Sequence, residues 1–139
     1  MRESRRTFGV RLYPRLEIMK SSIIYLDDEV ACLQLFEEMF GDEYDVRIAN
    51  TADEARRMLA ERVADIVISD QRMPDIQGTD FLREVAAKYR VSHRVMLTGN
   101  AIVGELLTEL GDGTVHSFVA KPWTFETIEK VIERAKSSA

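Results

Sequence analysis

The sequence contains a single cysteine, Cys32, so no internal disulfide can form. With His93 and His116 as the only histidines, a Cys/His zinc cluster is excluded as well. No run of about 18 apolar residues is present to span a bilayer, and the start is too arginine-rich for a secretory signal. Low-complexity stretches, linkers and a second domain are also missing. These absences point to a reducing, cytoplasmic setting and to a chain that makes no membrane contact. At 139 residues the chain is long enough to bury a core without a metal or disulfide staple.

Charge is unevenly placed. The first 20 residues hold six basic and two acidic side chains, leaving 13 basic and 22 acidic beyond them within a net charge of -5. An acidic body argues against direct nucleic-acid binding and suits a site that gathers carboxylates around a cation. Residues 1–20 read as a basic extension, flexible or of artificial origin, because Met19-Lys20 is a plausible alternative start; residues 21–139 form one domain.

That domain repeats one pattern five times, a short apolar run followed by a segment of helical period. Such alternation predicts an α/β, doubly wound, five-stranded parallel sheet with helices on both faces. Ile23-Ile24-Tyr25-Leu26, Ile66-Val67-Ile68 and Val95-Met96-Leu97 are continuous apolar runs, as buried central strands require. Tyr44, Val46 and Ile48 alternate with polar residues and predict an edge strand. Val115, Phe118, Val119 and Ala120 predict the fifth strand. The first helix is expected to bury Val30, Leu33, Phe36 and Phe40 and to stop at Gly41. Thr51 with Glu54 forms a capping box opening the second helix, which buries Ala55, Met58 and Leu59. Phe81, Leu82, Val85 and Tyr89 mark the third. Leu106, Leu107 and Leu110 suggest a fourth, closed by Gly111 and Gly113, and Phe125, Ile128, Val131, Ile132 and Ala135 a fifth.

Four of these strands end on a reactive polar group: Asp27-Asp28, Asp70, Thr98 and Lys121. Each admits an ordinary reading as a cap or turn residue when taken singly. In a parallel sheet, however, all four ends lie on one edge, where ligands bind, and capping does not explain a lysine there. Three clustered carboxylates repel, so the site must raise a pKa or recruit a cation. A hard divalent ion such as Mg²⁺, with oxygen ligands, answers this, and with Lys121 brings the three aspartates near neutrality. The chemistry suggested is phosphoryl transfer to an aspartate.

The motifs Leu26-Asp27-Asp28-Glu29, Ser69-Asp70-Gln71-Arg72-Met73-Pro74 with Gly78 beyond, Leu97-Thr98-Gly99 and Lys121-Pro122-Trp123 resemble those of the response-regulator receiver domains of two-component signalling. The resemblance covers the chain from Ser21 onward. It implies the flavodoxin-like receiver fold, strand order 2-1-3-4-5. It further implies that Asp70 is the phosphoacceptor, served by a sensor histidine kinase or phosphotransfer protein. Asp28, Asp70 and the backbone carbonyl of Arg72 would bind Mg²⁺, with Asp27 holding metal-bound water. Lys121 would pair with Asp70 and then with phosphoryl oxygens, and its bond to Pro122 would be cis. Thr98 and Phe118 would form the switch, Phe118 standing where the family often has tyrosine. Arg72 and Asn100 occupy positions that set acyl-phosphate lifetime, and Trp123 is expected to pack near the site. The face made by the fourth helix, fifth strand and last helix is the expected contact for a downstream protein, for an output domain outside this sequence, or for a second copy in a homodimer. Cys32, His93 and His116 read as structural or surface residues.

Two other classes compete. A magnesium-dependent phosphatase of the haloacid-dehalogenase type also uses a strand-end aspartate, but needs Asp-x-Asp after the first strand, where this chain has adjacent aspartates and no cap domain. A phosphorylation-independent interaction module on the same fold would not require the full set of chemical groups present here.

Overall fold

The computed structural model describes residues 20–99 and 113–137. Five parallel strands, β1 (Ser22–Leu26), β2 (Asp45–Ala49), β3 (Ile66–Asp70), β4 (His93–Thr98) and β5 (Ser117–Ala120), form one sheet in the order β2-β1-β3-β4-β5. Four described helices accompany them: α1 (Val30–Phe40), α2 (Ala52–Glu61), α3 (Gly78–Lys88) and α4 (Phe125–Ser137). The helix expected around Leu106, Leu107 and Leu110, Asn100 beside it and the basic extension up to residue 19 lie outside the described residues.

Side chains on a strand alternate between the two faces of the sheet, and the two cores follow that period of two. Ile23, Tyr25, Ile66, Ile68, Val95, Leu97 and Val119 pack on one face with Leu33, Phe36 and Phe40 of α1 and Ile128, Val131 and Ile132 of α4. Ile24, Leu26, Val67 and Met96 pack on the other with Ala52, Ala55 and Leu59 of α2 and Phe81, Leu82 and Val85 of α3. Burial on both faces explains the continuous apolar runs Ile23–Leu26 in β1, Ile66–Ile68 in β3 and Val95–Leu97 in β4. β2 is only half buried, as its alternating sequence predicts for an edge.

Local sequence sets the helix starts. The Thr51 hydroxyl accepts the Glu54 backbone N–H at 3.2 Å. The predicted capping box is displaced by one residue on its return side: the Glu54 carboxylate accepts from the N–H of Asn50 rather than Thr51. Three packing expectations also need correction. Val30 is 49% exposed, because it opens α1 above the level at which Leu33, Phe36 and Phe40 meet the sheet. Tyr89 follows the end of α3 and is half buried, and Val115 precedes β5 although its side chain is buried.

Candidate functional site

The parallel register brings the strand ends to one edge: Leu26 pairs with Ala49 and Ser69, Asp70 with Leu97, and Thr98 with Ala120. Asp27, Asp28 and Lys121 each stand one or two residues beyond those ends, so residues 94 positions apart in sequence meet. Backbone hydrogen bonds fix the approach: the N–H of Gln71 donates to the Leu97 carbonyl at 3.0 Å and that of Lys121 to the Thr98 carbonyl at 2.9 Å. The Lys121-Pro122 peptide is cis.

Asp27 is fully buried and anchored at both oxygens. Its Oδ1 accepts from the Glu29 N–H at 3.0 Å, while Oδ2 accepts from the Tyr25 hydroxyl at 2.6 Å and from Lys121 Nζ at 3.0 Å. Burial, followed by the bond to Asp27, pushes the Tyr25 phenol far above its ordinary pKa, so this hydroxyl is a permanent donor. Lys121 also reaches Glu29 Oε1 at 3.0 Å and Asp70 Oδ1 at 3.4 Å. Burial opposes its charge, but the bonds to Glu29 and Asp27 outweigh burial and raise its pKa. Trp123 closes the side of the site, donating from Nε1 to the Tyr25 hydroxyl at 3.4 Å and meeting Phe36 edge-on at 5.7 Å between ring centres.

Carboxylate oxygens of Asp27, Asp28 and Asp70 lie within 4.8 Å of one another. Asp28 is exposed, whereas Asp70 is 6% exposed at the floor of an open depression of about 620 Å³ that Arg72, Gly99 and Trp123 help to line. Burial, and then the Asp27 charge, push the Asp70 carboxyl up to about 6 despite the opposing pull of Lys121. A carboxylate whose charge is so poorly compensated favours a cation beside it or a bond to an electrophile.

The loop after Asp70 is held from two sides. The Gln71 side-chain carbonyl accepts the Thr79 N–H at 2.9 Å at the start of α3, and Asp75 accepts the Ala52 N–H at 3.0 Å at the start of α2. Gly78 lies so close that a Cβ there would come within 2.3 Å of the Asp70 carbonyl oxygen, so only glycine allows α3 to begin against the strand end.

The structure therefore brings together Asp27, Asp28, Asp70 and Lys121, with Arg72 along the same depression. Thr98 is buried at the adjoining strand end, joined to Lys121 through the backbone. Phe118 is half buried and packs against the second core, on β5, two strands from Asp70 with β4 between them. Sequence reasoning missed two contributors, the Tyr25 hydroxyl under Asp27 and the Glu29 carboxylate on Lys121. Glu29 follows the aspartate pair directly, and that adjacency was the available signal; nothing local marks Tyr25, which reads as an apolar strand residue.

The family model of the response regulator receiver domain matches residues 23–133. The hydrogenase transcriptional regulatory protein HoxA of Cupriavidus necator is 24% identical over 118 residues, 82% of this chain and 24% of that protein. The transcriptional regulatory protein FlgR of Helicobacter pylori is 32% identical over 104 residues, 75% of this chain and 26% of that protein. A response regulator receiver domain from Clostridium thermocellum superposes with a TM-score of 0.75 at 27% identity, covering 83% of this chain and 93% of that one. The chain spans about a quarter of the length of the curated relatives it matches.

Proposed function

The chain belongs to the response regulator receiver domain family, and from that premise we propose that Asp70 is its phosphoacceptor, taking a phosphoryl group from a phosphohistidine of a sensor kinase or phosphotransfer protein. The observation that carries this reading is the placement of Asp70: nearly buried, open to solvent on one side, charged in excess of its surroundings and within 3.4 Å of Lys121. An Asp70 carboxylate oxygen attacks phosphorus as the nitrogen–phosphorus bond breaks, and the electron pair of that bond stays on the imidazole. Three clustered carboxylates fit a hard divalent cation. Asp28, Asp70 and the Arg72 backbone carbonyl would hold Mg²⁺, which neutralises charge on the phosphoryl oxygens when bound. Asp27, with both oxygens already engaged, suits a role through water. Lys121 supplies the remaining cation, and the buried Asp27–Tyr25 pair holds it at the correct height.

Phosphorylation exchanges one negative charge for about two on Asp70. That added charge attracts Lys121 and donors at the β4 end, where Thr98 stands, and biases existing packings of the β5–α4 face with Phe118. A downstream protein, an output domain or a second copy of the chain reads that face. The setting is the cytoplasm, in keeping with the absence of any described helix long and apolar enough to cross a membrane.

Incubation with acetyl phosphate and Mg²⁺, read by intact mass, tests the assignment. One phosphoryl adduct is expected on the wild type and none on Asp70→Asn. Persistent labelling of Asp70→Asn would place the acceptor elsewhere.

A further inference from the structure

Lys121 has three N–H bonds to donate and three carboxylates around it, and the three differ in kind. Asp27 is fully buried and anchored by Tyr25 and by the Glu29 backbone, so it cannot follow the lysine. Asp70 is the reactive group and lies farthest, at 3.4 Å. Glu29 is at 3.0 Å, yet its side chain is 62% exposed and among the described residues it is held otherwise only by the Cys32 thiol, which donates to the same Oε1 at 3.6 Å.

A phosphoryl group on Asp70 presents new anionic oxygens to the same ammonium. Asp27 cannot release Lys121 without exposing a buried charge, whereas Glu29 can swing into water at little cost. We propose that Glu29 is a positioning residue that competes with the phosphoryl group for Lys121, drawing the lysine toward the rim of the site in the unphosphorylated protein and letting go as Asp70 is modified. This rests on Asp70 being the phosphoacceptor. Glu29 thereby sets how strongly the modified state is favoured, without touching the reacting atoms.

The test uses beryllium fluoride with saturating Mg²⁺ as a stand-in for the phosphoryl group, titrated against the full chain and followed by the fluorescence of Trp123, the single tryptophan, which lines the same depression; the side-chain ammonium NMR signal of Lys121 is recorded in the variants that keep the lysine. Glu29→Ala should bind the probe about two- to fivefold more tightly than wild type, the scale set by one exposed ion pair. Glu29→Gln should fall between them, and Glu29→Asp should restore the wild-type value. In a Lys121→Ala background, Glu29→Ala should change nothing. In the metal-free protein, Glu29→Ala should shift the Lys121 ammonium signal, a readout independent of phosphorylation. Equal or weaker probe binding by Glu29→Ala, or a gain that survives loss of Lys121, overturns the proposal while leaving Asp70 in place. Failure of wild type to bind the probe or to be labelled at Asp70 overturns the phosphoacceptor reading and this inference with it.

Discussion

The two ends of the sheet bury charge in opposite ways. At the amino-terminal ends of the strands, Arg94 is 7% exposed and has no carboxylate partner among the described residues. Its guanidinium is held by main-chain carbonyls instead: Thr114 at 2.7 Å, Ser92 at 2.9 Å, Gly113 at 3.3 Å and Arg90 at 3.5 Å. Burial lowers its pKa from a value so high that it stays charged. His93 and His116 stack beside it with ring centres 4.6 Å apart, and His116 Nδ1 accepts the Arg94 backbone N–H at 2.9 Å. At the carboxyl-terminal ends, three acidic side chains, Asp27, Glu29 and Asp70, share Lys121, and Asp28 stands beside two of them. One buried cation saturated by neutral dipoles makes a fixed clamp between two loops. An excess of anions over cations leaves unspent affinity for a further cation. The contrast teaches that burying charge is not in itself a functional signal; incomplete compensation is.

The largest effect that would break this comparison is loss of the clamp. Arg94→Met leaves several buried carbonyls without a donor and should cost about 3 kcal/mol in denaturant unfolding, each unmet group being worth roughly 1–3 kcal/mol. Asp70 should still be labelled in the folded fraction. Unchanged stability would mean that water satisfies those carbonyls equally well.

A smaller effect lies in the pH dependence, where the two ends oppose each other. Asp70, raised to about 6, takes up a proton in the folded state before the unfolded chain does, so stability of the metal-free protein falls as pH rises from about 4 to 6. His93 is lowered to about 4 by burial first and then by His116, Arg134 and Arg94. It stays neutral in the folded state while the unfolded chain protonates, so its contribution is lost as pH falls from about 6.5 to 4. At about 1.4 kcal/mol per unit each would amount to roughly 3 kcal/mol over its window, brought down to about 2 kcal/mol by solvent screening at these partly open sites. The two slopes largely cancel in wild type. Asp70→Asn should be more stable than wild type at pH 7 and should expose the His93 slope, whereas His93→Gln should expose the Asp70 slope. Parallel melting curves for the two variants between pH 4 and 7 would refute the opposition.

The smallest effect sharpens the comparison at the acidic end alone. Mg²⁺ at tenfold its Kd should stabilise wild type at pH 7 by about 1.4 kcal/mol, measured as a shift in thermal midpoint. The shift should shrink in Asp28→Asn and persist in folded His93→Gln.

Much of this was legible along the chain. Continuous apolar runs identified β1, β3 and β4 because strands buried on both faces leave polar residues no outlet, and alternation identified β2 as an edge. Asp27, Asp28, Asp70 and Lys121 stood out because each interrupts an apolar run at its end. Val30 misled because an apolar residue at helical spacing is still exposed when it lies beyond the sheet's reach. Arg94 gave no signal, since a charged residue inside a strand reads as an edge position unless its carbonyl partners, two of them about 20 residues away, are in view.

By itself the sequence determined the strands, the order in which they arrive and the chemical groups that end them, since periodicity and chain punctuation are local properties. Only the tertiary structure decided how those groups divide among themselves: that Asp27 is a fixed anchor, that Glu29 shares Lys121 with Asp70, and that Tyr25 supports them from below. Those assignments depend on through-space distances of about 3 Å between residues nearly a hundred positions apart, and only the packing of helices against the sheet fixes distances on that scale.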